Sequence, residues 1–338
     1  MAWSWRELQG SPPVVMAGLF VGILVLELAF IASYVGGLSQ PTAHDLPVAV
    51  VTSSPAAATL VSRVDTASGH QLAASVYPTM AAADRAIRTG RVAGAFRPGS
   101  AADTLVAAGA PTPLGKETLV GVLSRLASAE GVPLHTRVIR PLSTRDPEGL
   151  ASFYLAVGWA VGGYLIGSLL GLARGSTPTW RGLAARVPAL LLYAAASGIV
   201  GAAILTDFLG VLPGSPWAMA GVGTLTVLAV SLTTGALQRV FGEAGGTGLA
   251  IGIFVVLGNP SAGGPFSRWF LTGIWRDSAG LIPTSAATDA VRRLAYFPAA
   301  GVGSQLLVIG CWTAGALAVL AAGAAVRSAG GERRTPGG

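Results

Sequence analysis

Five long, predominantly apolar stretches, residues 14–36, 150–173, 187–211, 217–237 and 302–326, constrain this sequence most strongly. Each exceeds the roughly 20 residues that an α-helix needs to cross a hydrocarbon core of about 30 Å. In such a core every backbone N–H and C=O must be satisfied within the segment, so each stretch is expected to be a helix. The composition agrees. Charged residues make up only 11% of the chain and hydrophobic ones 52%, whereas a soluble domain carries about 25% charged residues. The first stretch is longer than the roughly 7–15 residues of a signal-peptide core, which favours an uncleaved anchor. With one cysteine, Cys311, no internal disulfide can form.

A sixth apolar run, residues 247–258, falls short. About twelve residues span only roughly 18 Å as a helix. It ends in Gly258-Asn259-Pro260, followed by Gly263, Gly264 and Pro265, a combination expected to stop a helix partway across the membrane. Irregular backbone at that depth is tolerated only where protein or water satisfies it. Asn259, Pro260, Gly263 and Gly264 are therefore candidates for a substrate path or gate, together with Glu27, a carboxylate near the middle of the first stretch. The alternative for Glu27 is a neutral acid bonded to a neighbouring helix. Residues 259–300 are expected to form a re-entrant or interfacial element with two short helical pieces. In it, Arg268, Arg276, Arg292, Arg293 and Tyr296 would be anchors at the outer headgroup level.

Arginines in short loops orient the chain. Arg6, the 174–186 loop with Arg174, Arg181 and Arg186, Arg239, and the tail with Arg327, Arg333 and Arg334 fall on one side. Placing them in the cytoplasm gives six crossings with both termini inside and residues 37–149 outside. The resulting division is an interfacial segment at 1–13, a first helix at 14–36, and an extracytoplasmic domain at 37–149. A five-helix membrane domain follows at 150–327, with crossings at 150–173, 187–211, 217–237, 247–258 and 302–326, and then a disordered tail at 328–338. In the second stretch Gly158, Gly162, Gly167 and Gly171 form a ridge of small residues that allows helices to approach closely, within one chain or between two.

Residues 46–142 read as a small α/β domain. Strands are expected at 46–51, 72–77, 91–96, 104–108 and 134–140, in a mostly parallel sheet. Helices are expected from the Ser54-Pro55 cap, at 79–89 with Thr79 as cap, and at 114–129. "GAPTPLGKET" (109–118) imitates a phosphate loop, but its glycine spacing is one residue too long and Glu117 stands where a serine or threonine belongs. Neither catalytic nor metal-ligating residues form a pattern, and His44, His70 and His135 are scattered.

The order of elements, with "LPVAVVTSSP", "AAADRAIRTGRVAGAFRP", "LGNPSAGGPF" and "LIPTSAATDAVRRLAYF", resembles the permeases of the ABC type 2 exporter class. It is most similar to the branch of the phage infection protein and YhgE-like membrane proteins. The resemblance implies a homodimeric exporter permease in the cytoplasmic membrane, and the apolar composition favours a hydrophobic or lipid-like substrate. The resemblance also implies a separate ATPase subunit that would hold ATP and Mg, with no cofactor, enzymatic activity or nucleic-acid partner for this chain. ATPase docking is then expected at Trp3, Arg6 and Leu8 and at Arg174, Arg181 and Arg186. The rival expectation within the same branch is an ATPase-independent surface anchor or envelope-assembly factor that binds partners through its outer domain.

Overall fold

A computed structural model describes residues 13–110, 113–175 and 179–332. Helix α1 (Pro13–Leu38) leads into an α/β domain. That domain comprises β1 (Leu46–Val51), α2 (Ala57–Ala67), β2 (Leu72–Tyr77), α3 (Met80–Arg88), β3 (Gly94–Arg97), β4 (Asp103–Ala108), α4 (Pro113–Ala129) and β5 (Leu134–Ile139). The sheet order is β2-β1-β3-β4-β5. All neighbouring pairs are parallel except β3 and β4.

Alternation along β1 shows why this strand forms. Leu46, Val48 and Val50 join Phe96, Leu105, Leu119 and Leu123 on one face of the sheet. Ala49 and Val51 point the other way, toward Ile87 and Val106. A strand buried on both faces reads as a continuous apolar run, which "LPVAVV" is. The expected Ser54 cap is not used. Ser54 instead closes a turn by accepting from the Ala56 N–H at 3.2 Å, and α2 begins only at Ala57. Thr79 does cap α3, accepting from the Ala82 N–H.

Past the domain come α5 (Ala151–Arg174), α6 (Trp180–Ala203) with a wider π turn at Ile204–Phe208, and α7 (Pro216–Ile251). A second π turn (Gly252–Leu257) and the short α8 (Gly258–Ser261) continue α7. Then follow α9 (Gly273–Ser278), α10 (Pro283–Tyr296) and α11 (Gly303–Glu332). Five helices, Met16–Leu38, Ala151–Ala173, Trp180–Phe208, Pro216–Ser261 and Gly303–Ser328, are long and apolar enough to cross a membrane. The chain is thus a mostly helical protein of multi-pass membrane character with a small α/β sheet.

The fourth of these helices is not straight. Its 46 residues would extend about 69 Å as a straight helix, twice a hydrocarbon core. Gly242 breaks it with φ 78° and ψ 168°, a conformation that favours glycine. Beyond the break the chain folds back. A Cβ on Gly246 would collide with the backbone of Gln238, and the Gln238 side chain donates to Thr247 Oγ1 at 3.0 Å. Val230 accordingly shares a core cluster with Ala250 and Phe254. Residues 216–241 and 243–261 therefore form an antiparallel helical hairpin.

The glycine ridge of α5 packs on the first arm of that hairpin. Cβ atoms on Gly163 and Gly167 would stand 3.0 Å and 2.6 Å from the Val227 and Ser231 carbonyl oxygens, and one on Gly171 would meet the Gln238 side chain. Gly162 faces Tyr193 of α6, and only Gly158 faces open space. The ridge serves packing within the chain. Several boundaries differ from expectation, β3 among them, which starts at Gly94 rather than at residue 91. α6 starts at Trp180 because Thr179 caps it, accepting from the Gly182 N–H at 3.1 Å. α11 runs on to Glu332 through an alanine-rich stretch, so residues 328–332 are helical. Residues 1–12 and 333–338, including the docking candidates Trp3, Arg6 and Leu8, lie outside the described residues, as does the side chain of Arg174.

Candidate functional site

The helix that was expected to break at Asn259-Pro260 continues through both. α8 includes them, and the chain leaves the helix at Gly263 (φ 84°) and Gly264 (φ 56°). Pro260 has no N–H to give to Val256, its i−4 carbonyl. That carbonyl is satisfied from another helix, since Ser33 Oγ of α1 donates to Val256 O at 2.5 Å. Ser33 in turn accepts from Trp275 Nε1 of α9 at 2.8 Å. Asn259, only 3% exposed, donates to Tyr34 of α1 at 2.7 Å. Ser261 Oγ donates to Leu257 O at 2.7 Å and bonds the Ser278 hydroxyl of α9.

The result is a polar joint between three elements. α1 contributes little else. Its packed stripe falls at Leu26, Ala29, Ser33 and Gly37, and the neighbouring positions are mostly exposed. Gly36 and Gly37 admit the Trp275 ring, and a Cβ on Gly36 would lie 2.6 Å from it. Glu27 sits beside this stripe, exposed on the side of α1 that the chain leaves open. No neighbouring helix among the described residues covers it.

Downstream, the two short pieces are present as a 3-10 turn (Arg268–Phe270) with α9, and as α10. The five outer anchors separate into two kinds. Arg268 is exposed, with its guanidinium 5.2 Å from the Trp269 ring centre. Arg276 reaches the α/β domain, pairing with Asp45 at 2.9 Å. Arg293 pairs with Asp289 one turn back at 2.9 Å, as the i, i+4 spacing predicts. Arg292 and Tyr296 are not surface anchors. They are 6% and 5% exposed, because α10 packs against α5, α7 and α11 rather than lying on a bilayer surface. Arg292 Nη1 donates to Phe266 O at 3.1 Å and Nη2 to Gly264 O, which ties α10 to the glycine break. Burial lowers its pKa to about 10, while Asp289 and Asp146 nearby favour the charged form.

Between this element and the α/β domain lies a cavity of about 430 Å³. Ser261, Ser267, Arg268, Ser285, Arg292 and Arg293 line one side, and Pro47, Val92, Ala93 and Ala110 of the α/β domain line another. Arg268, Arg292 and Arg293 were grouped from sequence as outer anchors, but the three serines were not joined to them, since what brings the six together is the docking of Phe266–Phe270 onto the sheet core.

The expected ATPase-docking arginines also separate. Arg181 is exposed in the first turn of α6. Arg186 is buried and donates to Gly167 O of α5 at 3.2 Å, so it is committed to helix packing and cannot present itself to a partner. Among the described residues no group of three or more His, Cys, Asp or Glu side chains comes together.

Labelling with a membrane-impermeant maleimide, in a Cys311→Ser background, tests the packing of this element. Ser261→Cys and Ser285→Cys, only 2% and 4% exposed as serines, are expected to stay protected. Ser304→Cys, exposed at the cavity wall, is expected to label fully. Full labelling of all three would mean a free loop. Comparison of the chain with family models, curated proteins and solved structures gives no match.

Proposed function

We propose that this chain is the membrane-spanning permease subunit of an ABC-type exporter, moving a hydrophobic or lipid-like substrate outward. The carrying observation is the helical hairpin whose second arm breaks at Gly263–Gly264 and is capped by α9 and α10 immediately before the last long helix. Read with its two arms as separate crossings, the chain has six spans. The α/β domain then stands outside between the first and second, and the arginine-bearing ends lie in the cytoplasm. The joint of Ser33, Tyr34, Asn259, Pro260 and Trp275 links the first span to the broken one, which is where an exit gate would act. α1 leaves an apolar face with Gly18, Gly22 and Glu27 open. In this reading a second copy of the chain closes the path there. ATP and Mg belong to a separate ATPase subunit, which docks around Arg181 and the N-terminal segment.

The test is co-purification of the tagged chain from its native membrane, followed by reconstitution with the ATPase recovered. Arg181→Glu is expected to lower stimulated ATPase activity severalfold while leaving membrane insertion and yield unchanged. A chain that isolates only with envelope proteins, with no ATPase, would replace the pump by a surface anchor acting through its outer domain.

A further inference from the structure

Arg292 is a buried cation with no carboxylate in ion-pair contact among the described residues, and buried Asp146 and half-buried Asp289 act on it only at longer range. Its Nη atoms are met by two backbone carbonyls, which are neutral. Its Nε–H is buried and has no partner among the described residues. The nearest carboxylate on its own helix, Asp289, is already engaged by Arg293 and by Gln305. Among the described residues no carboxylate lies within the 4.0 Å of an ion pair with Arg292. A charge that is taken out of water and left unpaired is strongly unfavourable, and this one lines a cavity.

The cavity supplies what an anion needs. Ser267 Oγ on its wall is also buried with no partner among the described residues. Arg268 and Arg293 join Arg292 there, with Asp289 the one acidic residue lining it. Leu46, Val92, Leu281 and Val308 make the remaining wall apolar. Its volume, about 430 Å³, is that of a small-ligand site. We propose that this cavity binds the phosphate group of an anionic amphiphile, with Arg292 as the principal cation and Ser267 and Arg268 as further donors. A guanidinium fork matches phosphate oxygens two at a time, and a tetrahedral phosphate has enough acceptors for donors arriving from several elements. The apolar wall accommodates the carbon skeleton next to the phosphate. The inference uses only this geometry and stands whether or not an ATPase drives the chain.

The experiment uses the full chain in mixed micelles of phosphatidylglycerol and phosphatidylcholine, with retained lipid counted by native mass spectrometry. Inorganic phosphate is titrated separately by calorimetry. Phosphatidylglycerol is expected to be retained over phosphatidylcholine by about tenfold, because both carry the phosphate but the choline ammonium brings a further cation beside Arg268, Arg292 and Arg293. Arg292→Gln is expected to abolish the preference. Because Arg292 also ties down Gly264 and Phe266, a second pair guards against misfolding. Ser304 is exposed on the cavity wall. Ser304→Glu adds a carboxylate and is expected to abolish the preference, and Ser304→Gln is expected to keep it. Saturable binding of inorganic phosphate with the same variant pattern, but without lipid preference, supports the site and identifies a free anion as its source. Equal retention of both lipids with no phosphate binding overturns the proposal. A lipid preference that survives Ser304→Glu, and Arg292→Gln where that variant folds, overturns it as well.

Discussion

Replacing Gly246 with leucine is expected to open the α7 hairpin and leave the chain unable to form a monodisperse particle in detergent. The reason is backbone against backbone. A Cβ at Gly246 would overlap the amide nitrogen and Cα of Gln238, and neither can rotate away as a side-chain tip could. Overpacking a core typically costs about 1–3 kcal/mol, and more where nothing can yield. The loss spreads to the neighbours. The same crossing holds the Gln238–Thr247 hydrogen bond and the Gln238 donation to Ser168 O of α5 at 3.3 Å. Gly245→Ala is the matched control. A Cβ there has ordinary contact with Phe241 at 3.6 Å, and alanine is favoured over glycine in a helix by about 1 kcal/mol. Thermal unfolding in detergent should therefore show Gly245→Ala at or above the parent and Gly246→Leu far below it. If Gly246→Leu unfolds like the parent, residues 243–261 do not pack back on 216–241.

The contrast between the long helices and Arg292 shows which features were legible in the sequence. Length and apolarity are local properties, so all five long helices were located, with ends misplaced by up to seven residues, and the two arms of the hairpin were separated at 217–237 and 247–258. The strands of the α/β domain were legible because burial on both faces leaves a continuous apolar signature. Burial of a charge leaves no such signature. Arg186, Arg292 and Tyr296 occur in the same kind of local sequence as Arg181, Arg268 and Arg276, yet the first three are buried and the second three are not. What separates them is which carbonyl each can reach: Gly167 O for Arg186 and Gly264 O for Arg292. Both acceptors belong to other helices or loops. The break was misplaced for the same reason. Proline removes a donor, and sequence shows that removal. It does not show that a serine 223 positions away supplies the replacement.

That serine gives the second large effect. Ser33→Ala is expected to strand two part-buried polar groups at once, the Val256 carbonyl that Pro260 cannot satisfy and the Trp275 Nε1–H. Each such loss costs about 1–3 kcal/mol, and within a bilayer water is scarce for repair. A total of about 2–6 kcal/mol is expected, read as a fall in the unfolding midpoint and as undocking of α1. Ser33→Thr keeps the hydroxyl and is expected to recover most of the loss. Ser33→Cys, a weaker donor, should fall between them. Gly36→Leu provides an independent route to the same state, because it removes the Trp275 ring from its seat rather than removing a hydrogen bond. A disulfide placed between α1 and the 252–261 segment should then restore both variants if docking alone is at stake. In the exporter reading, the joint must loosen for the gate at the broken helix to move against α1. Ser33→Ala and Gly36→Leu should then raise basal leakage of substrate, and the disulfide should suppress transport even as it restores stability. Unchanged stability in Ser33→Ala would mean that Val256 O and Trp275 find other partners, and that the first helix is not held by this joint.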